Sequence, residues 1–309
     1  MRKIGILITL LFMVIHITII AQDYPASSKK SGKKSDKRHN FQEQEEQEEK
    51  DSVRRWDFGL NFGAYFANKY SANFYNGSEY NVNKLTSVMS NESWNKNRYD
   101  EIKRALGMGT SDEVFIYGYP LNMHYSVAFT GGLFLRFNFD RKNGIFIQAN
   151  YTQLNAGDIV VLEVIPSITG LPDLRYQPII GKEGRVMFDL GYQRSFPLRS
   201  KIYFFVQAAG TMCYTQVLKS VFVVEGTEYS IINNLDNTTG QTYYTNQNAF
   251  GFGGFIGVGA GIPLTEMFGI EPGFFMQYYP VNLSGYPEYK PSFGVYLRIL
   301  LSFSKSSDQ

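Results

Sequence analysis

The sequence predicts an all-β protein: an eight-stranded antiparallel transmembrane β-barrel with long extracellular loops, a helix in the first loop and a disordered N-terminal tail. Three observations predict it. Stretches of about ten residues alternate apolar and polar side chains, the dyad repeat of strands with lipid on one side and a polar lumen on the other. The connections between these stretches alternate between short and long. Beyond the N-terminal segment, no apolar run approaches the ~20 residues that a membrane helix needs.

The chain opens with Met1-Arg2-Lys3, the apolar run Ile4–Ile20 and a small residue at Ala21. This is the pattern of a secretory signal peptide over residues 1–21, with the mature chain beginning near Gln22. An uncleaved anchor is the alternative, and the strongly polar sequence that comes next argues against it. Residues 22–54 are basic from Lys29 to Arg38, acidic from Glu43 to Glu49, and almost free of apolar side chains. Such a segment buries too little surface to fold. It reads as a solvated periplasmic tether, or as a tail that docks on a periplasmic partner or cell wall. Residues 305–309 form a short polar C-terminal tail.

Between them, residues 55–304 carry the barrel. The chain has 25 Phe, 22 Tyr and 29 Gly but 2 Trp; this composition also suits a soluble aromatic-rich β protein, and the strand-by-strand pattern decides against it. The net charge of +2 argues against a nucleic-acid partner. The one cysteine, Cys213, leaves no intramolecular disulfide to form.

The first strand is RWDFGLNFGAYF, in which Trp56, Phe58, Leu60, Phe62 and Ala64 alternate with Asp57, Gly59, Asn61 and Gly63. A long insert comes after it, from about Ala67 to Asn122. Its best helix spans Trp94–Leu106, capped by Ser93 and stopped by Gly107. The second strand, YSVAFTGGLFLRFNF, leads through the hairpin signal Asn143-Gly144 into the third, IFIQANYTQL. Residues 155–184 read as irregular because their prolines are unsuited to a central strand. The fourth strand, RVMFDLGYQRSF, sets Met187, Asp189, Gly191 and Gln193 on one face. The fifth starts at IYFFVQAAGTMCYTQV and runs outward, and a polar loop covers about 226–246. AFGFGGFIGVGAGI, FGIEPGFFMQYY and SFGVYLRILLSF complete the set. Short connections fall at 140–144, 197–201 and 263–267, and long ones at 67–122, 155–184, 226–246 and 280–290. Short periplasmic turns and long outer loops are the layout of outer-membrane barrels. A β-sandwich gives no reason for its two ends to differ in this way.

A barrel of this size is filled by its own side chains. Strand parity places Asp57, Asn61, Arg136, Asn138, Gln148, Asp189, Gln193, Gln207, Glu271, Gln277 and Arg298 inside. An unpaired buried charge is strongly disfavoured, so Arg298 is expected to partner Glu271 from the adjacent strand, with Arg136 nearby. These residues read as a packed polar core rather than an ion path.

The signal peptide ending in AQ, the charged tail, the aromatic- and glycine-rich eight-strand pattern over about Trp56–Phe303 and the last strand ending in Phe303 together resemble small outer-membrane β-barrel proteins of Bacteroidota, of the PorT-like and OmpA-like barrel groups. The resemblance implies an outer-membrane location with the tail in the periplasm. It also implies contact with outer-membrane lipid and suggests a part in type IX secretion or gliding machinery. The long first insert departs from a minimal barrel and points to a loop-borne role.

Enzymatic chemistry in such a barrel needs a base, usually histidine. Only His124 falls in the barrel, with Ser126 two residues on. Acyl transfer also needs an orienting acid, and none is evident, so the pair is a weak catalytic candidate. Asp112 and Glu113 are adjacent and do not face each other on a strand. No cofactor is expected, and one cysteine with one usable histidine makes no zinc site. The expected function is therefore non-enzymatic: scaffolding or binding partners in a secretion-type envelope complex through the long outer loops and the tail, with Tyr75, Trp94 and Tyr99 as partner-facing residues. The alternatives are a lipid-modifying enzyme acting through His124, or a narrow transporter for hydrophobic solutes.

Overall fold

The fold was determined as a computed structural model. It describes residues 55–90, 96–198, 202–232, 234–235, 242–243, 247–265 and 267–304. The signal segment and the tail, with Ser93 and Trp94 of the insert, lie outside the described residues.

The strands in chain order are β1 (Arg55–Phe66), β2 (Glu113–Gly118), β3 (His124–Tyr125), β4 (Ala128–Asn138), β5 (Asn143–Ile165), β6 (Asp173–Pro197) and β7 (Tyr203–Val224). After them come β8 (Thr227–Ser230), β9 (Asn234–Leu235), β10 (Thr242–Tyr243), β11 (Asn248–Pro263), β12 (Phe268–Pro280) and β13 (Tyr289–Ser304). Between β1 and β2 lie the helices α1 (Lys69–Ala72), α2 (Thr86–Met89) and α3 (Lys96–Ala105).

All pairing is antiparallel, and the main sheet closes in a ring: β1–β4–β5–β6–β7–β11–β12–β13 and back to β1. Strands β2 and β3 add to β5, β8 adds to β7, and β9–β10 pair separately. The register can be traced around the whole circuit. Trp56 faces Phe137, which faces Ile145, then Tyr192, Ala208, Ile256, Met276 and Phe293. Phe293 faces Phe66, so one circuit advances ten residues along β1. That stagger is the geometric condition for tilted strands to close on themselves. Every stop on the circuit is an outward position.

Strand alternation sorts the side chains as the sequence requires. On β1, Trp56, Phe58, Leu60, Phe62 and Phe66 are exposed on the outside, while Asp57, Asn61 and Tyr65 are buried within. The same split on β13 puts Leu297, Ile299 and Phe303 outside and Tyr296, Arg298 and Leu300 inside. The outside is thus an apolar band, with aromatic pairs such as Trp56–Phe137 at the short-turn end, ring centroids 4.8 Å apart.

The short turns sit at one end. The Asp140 side chain accepts from the backbone N–H groups of Lys142 and Asn143, which tightens the Asn143-Gly144 hairpin. The opposite end differs from the sequence expectation. Residues 155–184 are largely strand: β5 continues to Ile165 and β6 begins at Asp173. Val160, Leu162 and Val164 are buried, so the alternation simply carries on past the rim. Pro178 is tolerated because it stands just beyond Ile179, where pairing with β7 ends and β6 becomes an edge. Part of the expected 226–246 loop is also short strand.

The insert packs on the inner side of this projecting sheet. Phe74, Tyr75, Leu85, Val88 and Ile102 belong to one buried cluster with Val160, Leu162, Ile179, Phe222 and Val224. Helix α3 ends close to the expected position: Gly107 has φ +73°, the left-handed turn that glycine adopts at helix ends.

Asp112 ties the end of the insert to the β5–β6 turn. It accepts from the Gly109 N–H at 2.7 Å, and from the Ser167 N–H and hydroxyl at 2.8 Å each. The Ser167 amide first, then that of Gly109, hold this carboxyl below its ordinary value. A depressed folded value means that the contact is complete above the unfolded carboxylate range and is lost as pH falls through the folded value. The protection factor of the Ser167 amide, the intrinsic exchange rate over the observed rate at the same pH, should therefore be high at neutral pH and fall in acid, and it should be low at both in Asp112→Asn.

Candidate functional site

The chemistry-bearing side chains concentrate inside the ring, at three levels. Nearest the short turns, Asp57, Arg136, Glu271 and Arg298 come together. β12, β13, β1 and β4 are consecutive in the ring, and the register sets Glu271 opposite Arg298, Arg298 opposite Asn61, and Asp57 opposite Arg136. Arg136 donates Nε and Nη2 to Asp57 Oδ2 at 2.9 and 2.7 Å, and Nη1 to Glu271 Oε1 at 2.8 Å. Arg298 donates Nη1 to Glu271 Oε2 at 2.7 Å, Nε to Asn61 Oδ1 at 2.8 Å and Nη2 to Gln148 Oε1 at 3.1 Å. Its guanidinium lies 3.4 Å from the centre of the Phe134 ring. Tyr203 and Ser302 donate to Glu271 and Asp57 at 2.6 Å each. Two cations and two anions thus neutralise one another with their hydrogen bonds directed inward. A buried charge needs this arrangement to persist.

The middle level is neutral apart from Asp189. That carboxylate accepts from Gln148 Nε2 at 2.9 Å and from Thr211 Oγ1 at 2.5 Å, with Gln277 Nε2 at 3.4 Å. Gln207 bridges to Gln193 at 2.8 Å. Phe134, Phe146, Phe255 and Phe275 form a chain of ring contacts alongside, with centroids 5.7 to 6.2 Å apart. A cavity of about 20 Å³ remains, lined by Asn61, Gln148 and Gln277 among others. It has room for about one water.

The top level joins the ring to the insert, and the sequence reading missed it. Arg185 donates Nε to Glu183 Oε1 at 2.7 Å and Nη2 to Ser71 Oγ at 3.1 Å. Tyr75 and Tyr125 both donate to Glu183 Oε2, at 2.5 and 3.0 Å. Burial first, then the Glu183 charge, push the Tyr75 phenol well above its ordinary value, so it remains a donor. A β-carbon on Gly181 would stand 2.1 Å from Tyr75 Cγ, so the absent side chain is what seats the ring. The signal was available: Arg185 and Glu183 lie two and four residues before Met187, on the same strand face. Reading residues 155–184 as loop hid Glu183, while Arg185, the first residue of the fourth strand as read from sequence, shares the Met187 face and was overlooked.

Two expectations for the insert are corrected. Tyr75 is fully buried, and Tyr99 is 7% exposed. The Tyr99 hydroxyl bonds both N–H and C=O of Val114, at 3.4 and 3.5 Å, and so fastens α3 to the edge of β2. Neither residue faces a partner. Both hold the insert down over the mouth, because their rings gain more by burial against the projecting sheet than they would in water. Trp94 lies outside the described residues. His124 is exposed, with Nδ1 2.8 Å from Asn122 O, and the Ser126 backbone N–H bonds Asn155 O. Among the described residues, no hydrogen bond joins the two. Among the described residues, no three His, Cys, Asp or Glu side chains gather as metal ligands.

The accessible feature lies outside the ring, above the rim. On the outward face of the projecting sheet, Phe115, Tyr117, Ile159, Leu174 and Tyr176 are all exposed. Outward positions Gln153, Asn155 and Lys182 separate this face from the apolar band below, which includes Ile147 and Leu190.

No protein-family model and no curated protein matches the chain. Among solved structures, Neisserial surface protein A aligns at 8% identity over 81% of this chain and 97% of its own, with a TM-score of 0.37. The outer membrane protein OprG of Pseudomonas aeruginosa aligns at 8% identity over 82% and 98%, with a TM-score of 0.36. The outer membrane protein AlkL, solved in lipid bilayers, aligns at 9% identity over 93% and 99%, with a TM-score of 0.29. A likeness at these identities and scores says nothing about what the chain does.

Proposed function

We propose that this chain is an eight-stranded barrel of a bacterial outer membrane, sealed along its axis, that acts by holding other envelope proteins rather than by catalysis or conduction. The observation that carries the reading is a contrast. Inside, the charged side chains are committed to one another or to neutral donors, and the insert is fastened over the mouth by Tyr75 and Ser71. Outside, an aromatic face stands on the projecting sheet with no described residue packed over it. Exposed apolar patches rimmed by polar residues mark interaction sites.

The apolar band of the ring matches a lipid environment, and the closed ladder leaves no unpaired edge within it. Strand β1 starts at the short-turn end, and we take that end as the periplasmic one. The setting we propose is an envelope assembly of the secretion type, as the resemblance to Bacteroidota barrels suggests.

The test is mild-detergent purification of tagged protein from outer membranes, wild type against the pair Phe115→Ser and Tyr176→Ser. A reproducible set of envelope proteins should accompany the wild type and be lost from the pair, while both keep the heat-modifiable gel mobility of a folded barrel. Recovery of the wild type with lipid alone would overturn the reading.

A further inference from the structure

We propose that the partner presents an arginine to the projecting face, and that Glu163 is the anchor which receives it. The inference rests on the docking reading above and names the chemistry of the contact. Leu162 and Val164 are buried inward, so Glu163 points outward, half-buried. Across the sheet it faces Phe115 on β2 and Leu174 on β6. Two residues back along β5, Val161 faces Tyr176, and Tyr117 sits at the irregularity where Gly118 meets Val161. The Glu163 carboxylate is therefore flanked by aromatic and aliphatic side chains, with the exposed Glu113, two residues before Phe115 on β2, as a second carboxylate on the same face.

No ion pair or hydrogen bond engages the Glu163 side chain among the described residues. Arg175, next to Leu174 on β6, stands opposite Leu162 and so on the other face of the sheet, where it pairs with Asp173 at 2.8 Å. An arginine satisfies both parts of this surface. Its planar guanidinium pairs with a carboxylate and stacks on tyrosine or phenylalanine at once. Aromatic side chains around such a pair are the usual centres of binding energy at interfaces.

Lipid is a poor occupant. Glu163 lies ten residues beyond Gln153 on β5. At ~3.3 Å per residue, reduced by the strand tilt, this places it roughly 20 Å above the polar belt. Acyl chains would have to cross Gln153, Asn155 and Lys182 to reach it.

The experiment places a photo-crosslinking amino acid at position 176 in the full chain, in its own outer membrane, and sequences the crosslinked peptides. The expected result is an adduct with one protein whose captured segment carries an arginine. Glu163→Arg should lower the yield at least tenfold, and Glu163→Gln several-fold, with folded gel mobility unchanged. Reversing the captured arginine to glutamate should restore the adduct with Glu163→Arg. An adduct indifferent to the charge at 163 overturns the arginine contact and leaves the docking reading standing. Adducts only with lipopolysaccharide, or only with a second copy of this chain, overturn the occupant. If neither position 176 nor position 115 captures any protein while the chain remains folded, the docking reading itself fails.

Discussion

Glu271→Ala is expected to be the most damaging single change in the ring. Glu271 holds Arg136 through one carboxylate oxygen and Arg298 through the other, at 2.8 and 2.7 Å, and is itself fully buried. Removing it leaves Asp57 to balance two guanidinium groups, so one buried cation loses its counter-charge. Breaking a buried pair in this way costs about 3–5 kcal/mol. The measurement is the urea midpoint for loss of the folded, heat-modifiable band in detergent. The double change Glu271→Leu with Arg298→Leu removes one charge of each sign and leaves the Asp57–Arg136 pair whole. It should be less damaging than Glu271→Ala, because desolvation of both members is relieved together. A midpoint for Glu271→Ala equal to that of wild type would show that the network does not carry stability.

The second large effect is expected at Gly181, and it falls on the insert rather than on the ring. Any side chain there meets the Tyr75 ring, which lies 2.1 Å from where a β-carbon would be. Gly181→Val should unseat Tyr75 and break its hydrogen bond to Glu183. Overpacking of this kind costs about 1–3 kcal/mol. The loss is borne by the contact between insert and wall, since the β5–β6 and β6–β7 ladders do not depend on a side chain at 181. Limited proteolysis should cut within residues 67–122 at least tenfold faster while the ring keeps its folded mobility. Tyr75→Phe, which keeps the ring and loses only the hydroxyl, should show a smaller change of the same kind. Equal resistance in Gly181→Val and wild type would mean that the insert is held by other contacts.

Much of the fold was legible because strand period is a local property. Residues at every second position share a face, so Trp56, Phe58, Leu60 and Phe62 could be set outside, and Asp57 and Asn61 inside, without knowledge of any neighbour. Parity also placed Glu271, Arg298 and Arg136 within one lumen. A narrow lumen that excludes water makes charges of opposite sign find each other. The turn at Asn143-Gly144 and the helix stop at Gly107 were legible for a similar reason, since each is set by the backbone freedom of one glycine.

The errors arose where the outcome depended on distant contacts. Tyr75 and Tyr99 look like exposed loop aromatics in sequence. Their burial is caused by a sheet wall formed by β5, β6 and β7, residues that lie far along the chain. The prolines near 178 suggested a break, and only the end of the β6–β7 pairing at Ile179 shows why one is tolerated.

The sequence by itself determined which face of each strand meets an apolar surround and which a packed polar interior, because alternation is written into successive residues. The tertiary structure alone decided that Tyr75 and Tyr99 of the insert are buried against the sheet wall instead of facing outward. It also decided that the exposed aromatic face lies on the projecting sheet around Glu163. Both depend on how far paired strands run past the rim, and pairing is a relation between segments that neither segment specifies on its own.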